Sequence, residues 1–93
     1  MRTYELTLVF DPEFAKDKKK PLAEAKKLLA VADGKIVEKE EWGERPLAYP
    51  IDKREKGWYL LLRVELDETK IGQLDRKILL NEKILRHLLV RVK

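Results

Sequence analysis

The chain has no cysteine and no serine, and it contains one histidine, His87. Without cysteine there is no disulfide framework, no zinc knuckle and no thiol chemistry. The absence of serine excludes a serine nucleophile. A lone imidazole excludes a metal site with several histidine ligands and leaves little for acid–base catalysis. No glycine-rich phosphate loop is present either. We therefore expect a protein that is not an enzyme and that uses no metal or other cofactor.

Long hydrophobic runs are also missing. Apolar stretches such as Leu60–Leu62 are far too short to span a membrane. The first ten residues, MRTYELTLVF, lack the apolar segment and cleavage site of a signal peptide and have the pattern of a strand. We expect a cytoplasmic protein that does not contact a membrane.

Amide side chains and methionine are scarce. Gln73, Asn81 and Met1 are the single examples of their residue types, whereas lysine and glutamate are abundant. This balance is typical of proteins from hyperthermophiles. We therefore expect a heat-loving source and a melting temperature above the ordinary mesophilic range.

What the chain does contain is charge on a modest apolar framework. It has 93 residues and a formal net charge of +4, with 41% charged and 44% hydrophobic residues. This length predicts a single domain over residues 1–93. The hydrophobic fraction is high enough for a folded core, and the small positive charge favours a mildly basic binding protein.

The first half of the chain predicts a strand, a helix and a second strand. Alternating apolar residues indicate a strand over Thr3–Phe10 whose even-numbered side chains face the core. Apolar residues at helical spacing predict a helix between Lys16 and Ala32, with Pro21 in its first turn and Gly34 as a left-handed cap. The charged segment Lys35–Trp42 is typical of a protected edge strand.

The second half repeats this pattern. The segment Trp58–Leu66 is a strongly alternating strand, and Asp67 is a suitable N-cap for a following helix, at whose end Asn81 could form a cap. Ile84–Val92 is a final strand with consecutive apolar residues, which favours a central position or a partner covering its second face.

The resulting order, β-α-β-β-α-β, predicts a ferredoxin-like α+β sandwich: a four-stranded antiparallel sheet with two helices on one face. The other face then has no helix of its own. We expect it to display these residues: Thr7, Val9, Tyr59, Leu61 and Arg63. An open, partly apolar sheet face suits the binding of another macromolecule.

Two features suggest nucleic-acid binding, each with a simpler reading. Lys56-Gly57-Trp58-Tyr59 is similar to part of the RNA-recognition motif, but the alternation places Trp58 and Tyr4 on the core side, where they cannot stack on bases. The run Lys18–Lys20 can contact phosphate, although such a run beside a helix start is more often simply solvated.

The segment from Gly43 to Gly57 is rich in turn formers and charge, and its first nine residues read GERPLAYPI. Pro46 and Pro50 stiffen this segment and present Arg45 and Tyr49, two residue types common at interfaces. The alternative is a rigid hairpin connection that only attaches apolar side chains to the core.

This segment resembles the signature G-x-R-x-L-A-Y-x-I of the bacterial small-subunit ribosomal protein six family. The chain start through Glu5 and the final run Arg86–Lys93 also resemble that family. Asp52 departs from the pattern, because a basic or neutral polar residue is more usual there. Because the sequence ends at Lys93, we expect no extended or acidic C-terminal tail of the kind that some members have.

The resemblance implies a structural protein of the small ribosomal subunit. It implies binding to the central domain of small-subunit rRNA together with a partner, small-subunit ribosomal protein eighteen. A stand-alone RNA-recognition domain or a small regulatory ferredoxin-like module is the alternative. The candidate RNA- or partner-binding residues are Arg2, Arg45, Tyr49, Lys53, Arg54, Lys56 and Arg91.

Overall fold

The computed structural model describes residues 2–51 and 53–92, so Met1, Asp52 and Lys93 lie outside the described residues. Three positions used in the comparison with the family are therefore not described by the structure: Asp52, the first residue of the chain start and the last residue of the run Arg86–Lys93. The strands and helices are β1 (Arg2–Phe10), α1 (Lys20–Leu29), β2 (Lys35–Ile51), β3 (Arg54–Leu66), α2 (Ile71–Leu79) and β4 (Ile84–Arg91). Short 3-10 turns lie at Phe14–Lys16, Ala30–Ala32 and Glu68–Lys70.

The strands form one antiparallel sheet in the order β2-β3-β1-β4. Its helix-side face carries alternate residues of β1 and β3, and both helices pack their apolar stripes against it. The core therefore consists largely of leucine, valine and aromatic side chains. These include Tyr4, Leu6, Leu8, Phe10, Trp58, Leu60, Leu62, Val64, Leu66, Leu74 and Ile78. The predicted ferredoxin-like fold and both alternating strands are confirmed.

The end of α1 differs from the expectation in one respect. The left-handed residue is Asp33, with φ of 51°, and not Gly34. Aspartate tolerates this conformation better than most residues. Gly34 is needed for a different reason, since a Cβ there would lie 2.8 Å from Leu66 Cδ2 and 2.9 Å from the Leu29 carbonyl oxygen. Its backbone N–H donates to that same carbonyl and closes the helix.

Asp67 caps the turn before α2, as expected. Its Oδ1 accepts hydrogen bonds from the Thr69 hydroxyl at 2.7 Å and the Thr69 backbone N–H at 3.0 Å. These bonds favour the ionised carboxylate and hold the pKa of Asp67 below its usual range. Beyond α2, the Asn81 side chain does not cap the helix: it donates to Glu24 on α1 and accepts from the Lys83 backbone N–H.

The strands predicted over Lys35–Trp42 and Trp58–Leu66 are longer than the sequence pattern indicated. In the structure, β2 continues to Ile51 and β3 begins at Arg54, so the two strands form one long hairpin. Both prolines lie on β2, an edge strand, where a missing N–H on the outer side breaks no ladder bond. Lys53, with φ of 67°, makes the turn.

The last strand is at an edge of the sheet. Beyond β1 it has no further strand neighbour among the described residues. Of the two alternatives for a strand that is apolar on both faces, a central position is excluded, and the alternative of a covering partner remains. Its helix-side residue His87 contacts Asp75 of α2 at 2.6 Å, which gives this histidine a structural role between sheet and helix.

Candidate partner and nucleic-acid interface

The side of the sheet opposite the helices is the candidate interface, and we call it the open face. Strand register assigns its members: a residue of β1 shares its face with the residues directly opposite on β3 and β4. These residues include Glu5, Thr7, Val9, Tyr59, Leu61, Arg63, Arg86, Leu88 and Val90. The five residues expected on this face are therefore present, together with Glu5 of β1 and three residues of β4.

The β4 side of the open face is apolar and exposed. Leu88 is 58% exposed and Val90 is 46% exposed, and Leu88 lies opposite Thr7 while Thr7 lies opposite Leu61. Two large aliphatic side chains on an edge strand are unfavourable in water and invite association. This surface is suited to burial against a protein partner.

Aromatic residues border the face on its other side. Trp42 of β2 stacks on Tyr59, with ring centroids 6.4 Å apart and an interplanar angle of 24°. Trp42 nevertheless remains 44% exposed. The position of Trp42 depends on a register shift in β2 between Glu41 and Gly43, where Gly43 has φ of 76°. Sequence reasoning missed this pair, and the glycine after Trp42 is the signal that a bulge interrupts the alternation.

One end of the open face is covered by the hairpin. Val9 was expected to be open but is 3% exposed, so that part of the expectation is wrong. Gly57 lacks a side chain, and a Cβ there would overlap Val9 Cγ1 and approach Leu47 Cδ2 to 3.2 Å. Leu47 therefore lies over Gly57 beside Val9, on the side away from the main core. The hairpin closes this end of the face and leaves Leu61, Leu88 and Val90 accessible.

A polar contact joins the hairpin to the far edge of the sheet. The Arg86 guanidinium of β4 donates a hydrogen bond to the Tyr49 hydroxyl at 3.0 Å and lies 6.0 Å from the centre of the tyrosine ring. Tyr49 is nevertheless 57% exposed. The side chain is thus held in one orientation while its ring remains available to a partner.

The opposite end of the open face is charged. A shallow groove of about 410 Å³ around Leu61 is lined there by three glutamates and two cations: Glu5, Glu38, Glu40, Lys39 and Arg63. Arg63, within the same groove, contacts Glu5 at 3.2 Å. The open face therefore combines an apolar β4 side with a charged groove at one end and the Arg86–Tyr49 contact at the other.

Five of the seven candidate binding residues lie on the hairpin. Arg45, Lys53 and Lys56 are exposed, and the Arg45 guanidinium contacts its neighbouring backbone carbonyl at 3.2 Å. Arg54 forms an ion pair with Asp11 at 2.8 Å, which attaches the start of β3 to the end of β1. Tyr49 is the fifth. The structure thus brings these five residues together on one projecting element.

The other two candidates lie elsewhere. Arg2 begins β1 and forms an ion pair with Glu68 at 3.4 Å, and Arg91 ends β4 opposite Tyr4. The hairpin approaches the other end of β1, where Asp11 pairs with Arg54. Eight residue steps along β1, at roughly 3.3 Å each, separate the two ends by about 26 Å. Arg2 and Arg91 therefore do not belong to the hairpin cluster.

The residues that would have to stack on bases in an RNA-recognition motif are buried. Tyr4 is 8% and Trp58 is 7% exposed, and Trp58 contacts Phe10 edge to face inside the core. Their ring faces are therefore not available to a nucleic acid, as the alternation in the sequence predicted.

Within residues 2–51 and 53–92, no three metal-ligating side chains converge on a common point. Across the same residues, no helix has the length and apolar character needed to cross a membrane. A ferredoxin-like sandwich with an exposed apolar sheet face and a hairpin that presents exposed arginine and lysine side chains defines a class of macromolecule-binding protein.

Comparison with known proteins narrows this class. The model of the family described as Ribosomal protein S6 matches residues 3–91, so the chain belongs to this family. Small ribosomal subunit protein bS6 of Alkaliphilus metalliredigens is 38% identical over 92 residues, covering 99% of this chain and 98% of the relative. The bS6 of Fusobacterium nucleatum is 35% identical over 92 residues and 98% of both chains.

A solved structure supports the same assignment. The crystal structure of 30S ribosomal protein S6 from Thermotoga maritima aligns with a TM-score of 0.83 and 27% identity, covering 98% of this chain and 87% of that one. The family is structural and non-enzymatic, and its members are part of the small subunit of the cytoplasmic bacterial ribosome. The predicted family and the absence of enzymatic activity are thereby confirmed.

Proposed function

We propose that this protein binds the central domain of small-subunit rRNA together with small-subunit ribosomal protein eighteen. The observation that carries this proposal is the apolar β4 side of the open face, with Leu88 at 58% and Val90 at 46% exposure. Removing apolar surface from water contributes about 25 cal/mol of favourable free energy per Å², so burying this patch against a protein partner is favourable. We assign this patch to the protein partner.

Charge supports a joint rather than an independent RNA interaction. The net charge is +4, and the glutamates of the open face repel phosphate. Nucleic-acid affinity rises with the number of phosphates that cations neutralise, so we expect this chain alone to bind RNA weakly. A more basic partner docked on the open face would supply the missing charge, and the glutamates of the groove are complementary to it.

We assign the hairpin to contacts with RNA, or to contacts at the place where RNA and the protein partner meet. Arg45, Lys53 and Lys56 are exposed cations on a proline-containing hairpin, so the backbone that carries them loses little entropy on binding. Arg45 offers a planar fork of donors suited to phosphate or carboxylate. Arg2 and Arg91, at the other end of the sheet, remain separate candidate contacts.

The partner interface is tested by Leu88→Asp with Leu80→Asp as its matched control. Leu88 lies on the open face, whereas Leu80 follows α2 on the helix side and is 76% exposed. We expect calorimetry with purified protein eighteen to show at least a 30-fold loss for Leu88→Asp, equivalent to about 2 kcal/mol, the scale of an interface hot spot. Leu80→Asp should bind like the wild type. Equal binding by both variants would exclude the open face as the partner interface.

The RNA interaction is tested by titrating a central-domain transcript with and without the partner. We expect markedly tighter binding in the presence of the partner and a steep decrease with salt. Six neutralised phosphates would give a log–log slope of about −5, and this chain's own share should be smaller. Tight binding by the isolated protein that does not depend on salt would contradict the proposal.

A further inference from the structure

A group of lysines on the helix side of the sheet has no role in the interface described above. We call it the lysine patch; its members are Lys18, Lys19, Lys20 and Lys83. Lys20 and Lys83 place their ammonium groups 6.0 and 5.0 Å from the centre of one ring, that of Phe14. Phe14 itself stacks on Phe10 of the core. The patch is therefore anchored on the side of the sheet away from the open face.

The acids close to this patch are largely occupied. Asp17 uses Oδ1 to accept a hydrogen bond from the Lys19 backbone N–H at 3.1 Å. Glu13 contacts Lys16 at 3.1 Å. Glu24, whose side chain is 12% exposed, contacts Lys27 at 4.0 Å and Lys83 at 3.5 Å. Among the described residues, Lys83 is therefore the patch member with a carboxylate partner, and Lys18, Lys19 and Lys20 have no ion pair.

Two members of the patch are particularly free to act. Within the described parts of the chain, neither Lys18 nor Lys19 has an ion pair, and both side chains are exposed. Holding ammonium groups near one another in water is unfavourable, so a polyanion that neutralises them gains free energy and releases counterions.

The composition of the patch distinguishes RNA from a protein partner. Protein interfaces have an apolar centre and are depleted in lysine, whereas nucleic-acid interfaces are polar and strongly positive. None of the strongly exposed large hydrophobic residues falls between residues 13 and 20, and Leu79, in the groove beside Lys83, is the exposed apolar neighbour at the other side of the patch. Lysine contacts phosphate as a point charge, and phosphate contacts carry no sequence information. A sugar–phosphate backbone fits this surface better than a protein does.

We propose that the lysine patch binds the RNA sugar–phosphate backbone as a second RNA contact, on the side of the molecule opposite the open face. This inference rests on the proposed function and specifies which surface the RNA contacts. Because the two surfaces lie on opposite sides of the sheet, the protein partner and this RNA segment bind at the same time. The protein then bridges its partner and the RNA instead of lying beside both on one face.

The test compares two double variants of equal charge. Lys18→Gln with Lys19→Gln removes two cations from the patch, and Lys26→Gln with Lys77→Gln removes two exposed cations from the helices outside it. All four side chains are exposed, so both variants should melt like the wild type. Each is titrated with a central-domain transcript in the presence of protein eighteen across a salt series, and its affinity for protein eighteen alone is measured separately.

We expect the patch variant to bind RNA at least tenfold more weakly at 0.1 M salt. Losing one phosphate contact should lower the affinity for RNA roughly eightfold at that concentration. It should also make the log–log slope of affinity against salt shallower by about 0.9. Its affinity for protein eighteen should be unchanged, and the helix variant should bind RNA nearly as well as the wild type. This combination of results supports the proposal.

Three results would overturn it. Equal weakening by both double variants would mean that net charge alone acts. An unchanged slope for the patch variant, with normal RNA binding by the wild type, would reject the patch and leave the proposed function intact. No RNA binding by the wild type, even with protein eighteen present, would reject the proposed function and this inference with it.

Discussion

Tyr49 and Arg86 come from opposite edges of the same sheet, yet the tyrosine hydroxyl accepts a hydrogen bond from the arginine at 3.0 Å. The contact forms because the β2–β3 hairpin folds over the end of the open face. Leu47 lies between these edges, against Gly57 and Val9. The position of the whole hairpin, with its five candidate binding residues, depends on these few contacts.

Tyr49→Phe should loosen the hairpin without unfolding the protein. The lost hydrogen bond is exposed, so we expect a decrease of about 0.5 kcal/mol in the free energy of unfolding, the low end for such bonds. Amide hydrogen exchange in residues 45–56 should become faster. Tyr59→Phe is the control, because among the described residues its ring contact with Trp42 survives the change. Equal exchange rates in both variants would show that the Arg86 contact does not hold the hairpin.

Arg45→Ala should separate binding from folding. The side chain is exposed, so the free energy of unfolding should change by no more than about 0.5 kcal/mol. Binding to the partner and RNA should weaken by about 2 kcal/mol or more, if the guanidinium is a hot spot. Thermal unfolding and partner-dependent RNA titration measure the two effects. Wild-type binding by the folded variant would make the segment only a rigid connector.

Leu47→Ala gives the opposite expectation. A core position for Leu47 would predict a loss of about 2–3 kcal/mol. Because it is only half-buried, on the open face, we expect about 1 kcal/mol by thermal unfolding. Any effect of this variant on assembly should follow from the displaced hairpin.

Gly57→Ala should lower the free energy of unfolding, although it adds only one methyl group. The new Cβ would overlap Val9 and press on Leu47, and overpacking of this kind typically costs about 1–3 kcal/mol. Gly72→Ala in α2 is the matched control, since, among the described residues and apart from its chain neighbours and its own helix backbone, no heavy atom lies within 4 Å of its Cβ position. That substitution should stabilise the protein by about 0.5–1 kcal/mol through helix propensity. Chemical denaturation measures the free energy of unfolding of both variants. Destabilisation by Gly57→Ala alone would show that the effect comes from overpacking against Val9 and Leu47 and not from replacing a glycine as such.

Asp67 should make stability sensitive to acid. Its folded-state pKa lies below the ordinary value of 3.8 because Thr69 stabilises the carboxylate by hydrogen bonds. The contribution is therefore fully present above pH 3.8 and is lost as pH falls through the lower folded-state pKa. Asp67→Asn keeps the cap shape and removes the charge. We expect its melting temperature to lie below that of the wild type at pH 7 and the difference to shrink below pH 3.8. A difference independent of pH would contradict this role.

The sequence by itself determined the order of elements, the core face of β1 and β3, and the family. Apolar residues recur with a period of two along Trp58–Leu66 and with a helical period around Leu28. These periods predict which side chains are buried, because the local geometry of strands and helices sets them. The signature from Gly43 to Ile51 is also a local pattern. The single-domain boundaries, the heat-loving source and the binding role of the seven candidate residues stay predictions.

Tertiary structure decided what local periodicity does not encode. The edge position of β4 depends on the order in which strands pair, and it leaves Leu88 and Val90 exposed. The burial of Val9 depends on a hairpin that folds across the sheet from a distant part of the chain. The separation of Arg2 and Arg91 from the other candidate residues likewise follows from the antiparallel register. Each of these outcomes results from contacts between residues far apart in sequence, whose free energies are set by packing and not by local propensity.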